Sequence, residues 1–140
     1  MIPSVSINLI AVVAATIVSM VIGMVWYSPA VFGNQWMKLV GMEKKKVKEA
    51  DMKKEMMKGM PMQVAATLVM TYFLAVFVAY AQAKNIVDGA IVGIMVWVGF
   101  VGTTASGDYL WGGKPKQLFW INNGLHLVTL AVSGAILATM

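Results

Sequence analysis

The chain has 140 residues, of which 59% are hydrophobic and 12% charged, whereas soluble domains carry about 25% charged residues. This composition predicts a single membrane-embedded domain over residues 1–140. The absence of cysteine excludes disulfides, thiolate metal sites and thiol nucleophiles. The net charge of +5 comes from lysine alone, which argues against bidentate recognition of phosphate or carboxylate by arginine.

Apolar stretches of about 20 residues, each long enough to cross a hydrocarbon core of roughly 30 Å, recur along the chain. They run from Ile7 to Trp26, Pro61 to Gln82, Gly89 to Gly107 and Leu118 to Met140. The first has no basic leader and no small-residue cleavage pattern, so we expect it to be a retained helix. The second should begin at Pro61, which suits the first turn of a helix. The predicted fold is therefore all-α and polytopic, with four transmembrane helices at about 7–26, 61–82, 89–107 and 118–140.

A basic loop over residues 38–60 joins helices one and two. From Met42 to Met60 it reads MEKKKVKEADMKKEMMKGM, a run of high helical propensity that predicts a short amphipathic cytoplasmic helix. This helix could rest on anionic lipid or recruit a partner. The alternative is a solvated connector that enforces topology. Nothing in the segment resembles a nucleic-acid-binding module, so no nucleic-acid partner is expected.

The lysines predict the orientation. Ten of the eleven fall in the loops between helices one and two and between helices three and four, which leaves only Lys84 on the opposite side. The positive-inside bias predicts that both basic loops are cytoplasmic and both termini outside, in the cell (inner) membrane.

Helix one carries a stripe of small residues at a spacing of four, which lets a neighbouring helix approach closely. Its members are Ala11, Ala15, Ser19 and Gly23. We expect the stripe to contact a helix of the same chain, with a homo-oligomer seam as the alternative.

Polar residues gather at one depth in the predicted membrane. At about 1.5 Å per residue, Ser19 and polar residues of the other three helices reach similar heights in the cytoplasmic half. His126 and Trp97 lie near the midplane. In helix four, Asn122, His126, Thr129 and Ser133 share one helical face, which should point into the protein because unpaired polar groups are costly in lipid. The candidate binding residues are Asn122, His126, Asn123, Thr103, Thr104, Thr67, Trp97 and Asp108.

Two of these residues allow more than one interpretation. His126 could carry a proton or contact a ligand, or it could be a neutral imidazole bonded to a threonine, an asparagine or a backbone carbonyl. Asp108 is more simply a boundary residue paired with Lys114 or Lys116 than a catalytic acid. No metal or cofactor is expected, since a lone histidine lacks the usual ligand count. The methionines are most simply lipid-facing or packing residues. With no cysteine and a single histidine in the chain, copper is disfavoured.

Two functions from different classes fit this pattern. In the first, a cytoplasm-facing polar pocket binds or passes a small solute, an ion or a lipid headgroup. In the second, the polar residues only lock helix packing and the protein is a structural or accessory membrane subunit. An enzyme is not expected, because there is no second carboxylate at catalytic spacing and no triad.

Two runs in the chain resemble a known family. WYSPAVFGNQWMKLVG, from Trp26 to Gly41, and LWGGKPKQLFWINNGLHLVTLAVSGAIL, from Leu110 to Leu137, are similar to the family catalogued as domain of unknown function 1761. The aromatic-Ser-Pro turn after helix one is the most distinctive part. The resemblance implies a small prokaryotic four-helix membrane protein, and it implies no reaction.

Overall fold

The computed structural model describes residues 5–28, 30–39, 49–113 and 115–140. This part of the chain is helical and contains no strand. Its elements are α1 (Leu9–Trp26), α2 (Gly33–Leu39), α3 (Glu49–Tyr80), α4 (Ile86–Val96), a π-helical segment (Trp97–Gly102), α5 (Thr103–Gly112) and α6 (Lys116–Thr139). Four helical spans are long and apolar enough to cross a membrane: Leu9–Trp26, Met57–Tyr80, Ile86–Gly112 and Lys116–Thr139. The prediction of an all-α, multi-pass membrane protein is confirmed.

Capping residues explain where two spans begin. The Asn8 side chain accepts hydrogen bonds from the backbone N–H groups of Ile10 and Ala11, at 3.1 and 3.3 Å, and α1 follows directly. Asn85 accepts from the Asp88 N–H at 2.8 Å, so the third span begins three residues before the predicted Gly89. Both asparagines satisfy N–H groups that have no partner within the helix.

The third span also ends later than predicted. A π-helical segment from Trp97 to Gly102 joins α4 to α5 without a break, and the helix continues past Gly107 to Gly112. Gly113 then terminates it in the left-handed conformation, with φ of 67°. Glycine adopts that conformation without a Cβ clash, which is why it so often ends helices.

The second span does not begin at Pro61. α3 starts at Glu49 and passes through Pro61 as one helix of 32 residues. The helical propensity predicted for the basic segment is therefore seen from Glu49 onward, but as an extension of span two. Proline removes one backbone hydrogen bond from a helix interior, and here that loss falls near the end of the span. Residues 40–48 of the predicted loop lie outside the described residues.

The helix α6 occupies the centre of the packing, where it contacts α1, α3 and α4. It approaches α4 most closely through glycines: a Cβ at Gly93 would collide with the Leu130 carbonyl, and one at Gly134 would collide with the carbonyl of Gly89. A cluster of apolar side chains fills the space between α3 and the pair formed by α4 and α6. Its fully buried members are Leu74, Val78, Ala83 and Leu130.

The small-residue stripe of α1 packs within the chain. Ala11, Ala15 and Ser19 are all buried, and α1 contacts both α3 and α6. The predicted intrachain contact is confirmed for these three residues. Gly23 differs, because a Cβ atom there would meet nothing within 4 Å. The seam therefore opens between Ser19 and Gly23.

Candidate functional site

One layer of hydroxyl groups ties α1 to its two neighbours. Thr16 Oγ1 lies 2.8 Å from Thr71 Oγ1 on α3, and Ser19 Oγ lies 2.9 Å from Ser133 Oγ on α6. All four side chains are buried. Each hydroxyl has found a partner, as apolar surroundings require. These paired hydroxyls form a buried, hydrogen-bonded contact between the helices.

A cavity of about 640 Å³ opens beside that layer, between α1, α3 and α6. We call it the central cavity. Its lining comprises Ser19, Met20, Gly23, Met24, Tyr27, Met60, Gln63, Thr67, Met70, Asn122, Leu125, His126 and Thr129. It extends along the spans towards the end of the molecule where Tyr27 follows α1 and where α6 begins. Its volume lies within the range of small-molecule sites, roughly 300–1,000 Å³.

His126 lines the central cavity with an unpartnered ring. Its imidazole is half-buried, and no hydrogen bond joins it to any other residue in the described part of the chain. The nearby Thr129 hydroxyl donates to the His126 backbone carbonyl at 3.1 Å and not to the ring. The interpretation of His126 as a hydrogen-bonded packing residue therefore finds no partner among these residues.

Asn122 and Thr67 also line the central cavity, and both have partners. The Tyr27 hydroxyl donates to Asn122 Oδ1 at 2.6 Å, which links the end of α1 to α6. Burial raises the pKa of the Tyr27 phenol, so its hydroxyl stays protonated and able to donate. Thr67 Oγ1 donates to the Gln63 carbonyl at 2.8 Å and accepts from Gln63 Nε2 at 3.2 Å.

Trp97, Asn123 and Asp108 lie outside the central cavity. Trp97 Nε1 donates to the Asn123 carbonyl at 2.8 Å, which fastens the π-helical segment to α6. Asn123 Nδ2 donates to the Phe119 carbonyl at 2.9 Å. Asp108 and Asn123 line a smaller cavity of about 160 Å³, and Asn122 contributes to both cavities.

Thr103 and Thr104 do not join the other candidates. Both are exposed, and their hydroxyls donate to carbonyls of their own helix at Gly99 and Phe100. Neither lines either cavity. Helix rise predicts the height of a residue along the helix axis but not the direction in which its side chain points.

The sequence interpretation missed several lining residues, namely Met20, Met24, Met60, Met70, Tyr27 and Gln63. A periodic signal for them exists. Besides Ser19, the lining residues of α1 and its C-cap are Met20, Gly23, Met24 and Tyr27, and those of α6 are Asn122, Leu125, His126 and Thr129. Both sets follow the spacing i, i+3, i+4, i+7 of one helical face. Methionine and glycine are also common packing residues, so residue type alone does not distinguish this face of α1 as a cavity lining.

Within the described residues, no group of three or more histidine, cysteine, aspartate or glutamate side chains could hold a metal ion. The lining of the central cavity carries no carboxylate. Its chemistry is that of hydroxyls, amides, thioethers and one imidazole. Such a neutral set binds ligands by hydrogen bonds, apolar contact or soft coordination.

The family with the description "Protein of unknown function (DUF1761)" matches residues 10–138. The chain belongs to the DUF1761 family. No curated protein and no solved structure matches the chain. The DUF1761 description assigns no activity.

The two runs that resemble the DUF1761 family meet at one end of the central cavity. Trp26 Nε1 donates to the Ile121 carbonyl at 2.8 Å, beside the bond from Tyr27 to Asn122. Gly124 lies against the Trp26 ring, where a Cβ would be 3.4 Å from Cζ2. The aromatic turn after α1 and the Asn-Asn-Gly segment of α6 therefore form one contact in this DUF1761 protein.

Proposed function

We propose that this protein binds a small solute, an ion or a lipid headgroup in the central cavity, and that the cavity opens to the cytoplasm. The observation that carries the proposal is the half-buried His126 ring, which lines a cavity of about 640 Å³ and has no hydrogen-bond partner in the described part of the chain. A polar ring in a membrane span is costly unless water, a ligand or another polar group satisfies it.

The contrast with the hydroxyl layer supports this proposal over a purely structural role. The pairs Thr16–Thr71 and Ser19–Ser133 are closed, whereas Gly23 faces open space one turn further along α1. A protein that used its polar residues only as packing locks would have little reason to leave such a cavity. We propose a non-catalytic role, since none of the described residues that line the cavity carries a carboxylate that could act with His126.

The lysines support the cytoplasmic opening and the location in the cell (inner) membrane. The cavity extends towards the end of the spans that carries Lys38, Lys58 and Lys116. Basic residues are enriched on the cytoplasmic side of bacterial membrane proteins. A solute would then enter from the cytoplasm.

Single cysteines in this cysteine-free chain test the proposal. Gly23→Cys places a thiol in the central cavity without a clash, and a charged methanethiosulfonate reagent is added to sheared membranes so that it reaches both faces. We expect Gly23→Cys to react. Ser133→Cys, in the closed layer, and Met95→Cys, on an exposed apolar face of the third span, are the controls and should not react.

An unreactive Gly23→Cys would mean that water does not enter the cavity. The accessory role would then be the better account. In that case a partner would bind the first eight residues of α3, Glu49–Met56, which precede the apolar span. At 1.5 Å per residue this segment is about 12 Å long. Deleting these residues should then abolish partner recruitment without affecting the spans.

A further inference from the structure

Methionines are concentrated in the central cavity. Four of its thirteen lining residues are methionine, against thirteen in the 140 residues of the chain. They come from two helices, with Met20 and Met24 on α1 and Met60 and Met70 on α3. The fraction is about three times that of the whole chain. Met20 and Met70 are half-buried, whereas Met24 and Met60 line the cavity and are also exposed at the surface.

Two hydrogen bonds between α1 and α6 bracket the part of the cavity that holds His126. The first joins Ser19 to Ser133, and the second joins Tyr27 to Asn122. Met20 and Met24 lie between the α1 ends of these bonds, and His126 lies between their α6 ends. Since the helices are antiparallel, two thioethers and one imidazole face the same stretch of cavity.

The two methionines are well placed to act together. They are four residues apart on α1, so their side chains lie one turn apart on one face. Methionine has three rotatable side-chain bonds, which lets the sulfur move to meet a ligand. Met60 and Met70 add two further thioethers to the cavity lining, from α3.

We propose that the central cavity binds a soft monovalent metal cation, Cu(I) or its analogue Ag(I), through the sulfurs of Met20 and Met24 and a ring nitrogen of His126. This inference rests on the proposed function and specifies its ligand. Thioether and imidazole ligands suit Cu(I), whereas Mg²⁺ and Ca²⁺ require carboxylate and carbonyl oxygens. A set of neutral ligands leaves the site with the single charge of the ion, which a polar cavity in a membrane tolerates better than two charges.

Silver titration tests the assignment, because Ag(I) is not reduced or oxidised under the conditions that would convert Cu(I). The full chain is purified in detergent with a tag that contains no histidine, in chloride-free buffer, and titrated with silver nitrate by calorimetry. The absence of cysteine removes thiolates as competing ligands. We expect one tight equivalent. Competition with bicinchoninate should give the same result for Cu(I).

Paired substitutions identify the ligands. The double variant Met20→Leu/Met24→Leu keeps nearly the same side-chain volume. It should weaken Ag(I) binding at least tenfold, because loss of even a residue that only hydrogen-bonds to a metal ligand typically weakens metal binding about 10–100-fold. His126→Gln should weaken it to a similar degree. The matched control is Met62→Leu with Met95→Leu, two exposed methionines outside the cavity, which should leave the affinity unchanged.

Three results would overturn the inference: no tight equivalent of silver, equal affinity in both methionine pairs, or X-ray absorption of the Cu(I) complex with oxygen neighbours and no sulfur. None of these would by itself remove the proposed function, because reactivity of Gly23→Cys measures access of water and not the nature of the ligand. A closed cavity in that experiment would remove both proposals.

Discussion

Single hydroxyl groups carry much of the specificity of helix packing here. Ser19 and Ser133 contribute little apolar area, yet each is buried and each satisfies the other across 2.9 Å. Hydrogen bonds of this kind between membrane helices contribute about 0.6 kcal/mol on average and up to about 1.7 kcal/mol. Their larger effect is to penalise any packing that leaves one hydroxyl alone.

Ser133→Ala should therefore destabilise the protein by about 0.5–2 kcal/mol, because it leaves the Ser19 hydroxyl with one partner fewer. Thermal unfolding in detergent measures the change. The double variant Ser19→Ala/Ser133→Ala should lose less than the sum of the two single losses, as expected for residues in contact. Ser106→Ala, whose hydroxyl donates to Thr103 in its own helix, is the control. Strict additivity would contradict the proposed pairing.

Backbone atoms of α4 and α6 lie in close contact, and three glycines make this contact possible. The carbonyls of Gly89, Leu130 and Gly134 occupy the positions where Cβ atoms would lie. Small residues let membrane helices approach until backbone atoms touch, and dispersion contacts then act over the whole length of the contact. This contact with α6 is the main one between the third span and the other spans.

We expect Gly134→Ala to push α4 away from α6 and to cost about 1–3 kcal/mol. Gly107→Ala makes the same change in α5, where a Cβ meets nothing within 4 Å, and should be neutral or stabilising by up to about 1 kcal/mol. Comparing the two midpoints of thermal unfolding separates the contact from the effect of alanine itself. Equal midpoints would show that this contact is not what holds the third span.

The two ends of the α1 stripe should respond differently to leucine. Ser19→Leu overpacks a buried seam and should cost about 1–3 kcal/mol. Gly23→Leu extends into the central cavity and should be tolerated, while it reduces the space for a ligand. Unfolding in detergent and silver titration of both variants check this. An equal loss of stability at the two positions would contradict an open cavity at Gly23.

For the whole molecule, the charge distribution predicts a single orientation. Ten of eleven lysines fall in the two loops that the sequence predicts on one side of the membrane. Three single-cysteine variants test this orientation in intact cells: Lys48→Cys, Lys84→Cys and Lys114→Cys. An impermeant thiol reagent added outside should label only the cysteine at 84. Lys84 is the position chosen in the loop between spans two and three, because the neighbouring Asn85 caps α4. Labelling of the cysteine at 48 or 114 from outside would show that the protein has the opposite orientation, with the cavity opening to the outside.

The sequence by itself determined the number and approximate positions of the spans, because apolar length alone decides what can cross a bilayer. It also indicated the family resemblance and the packing of Ala11, Ala15 and Ser19 within the chain. Span ends were less accurate: Asn85 and Gly113 set the bounds of the third span, and the basic segment continued as helix through Pro61.

Only the tertiary structure decided which polar residues meet. Thr67, Asn122 and His126 line one cavity, whereas Thr103 and Thr104, which helix rise places at the same height as Thr67 and Asn122, point elsewhere. Height follows from counting residues, whereas direction depends on how each helix is rotated against its neighbours. That rotation is set by contacts between distant residues, such as the glycines of α4 and α6, and the spacing within one helix does not contain it.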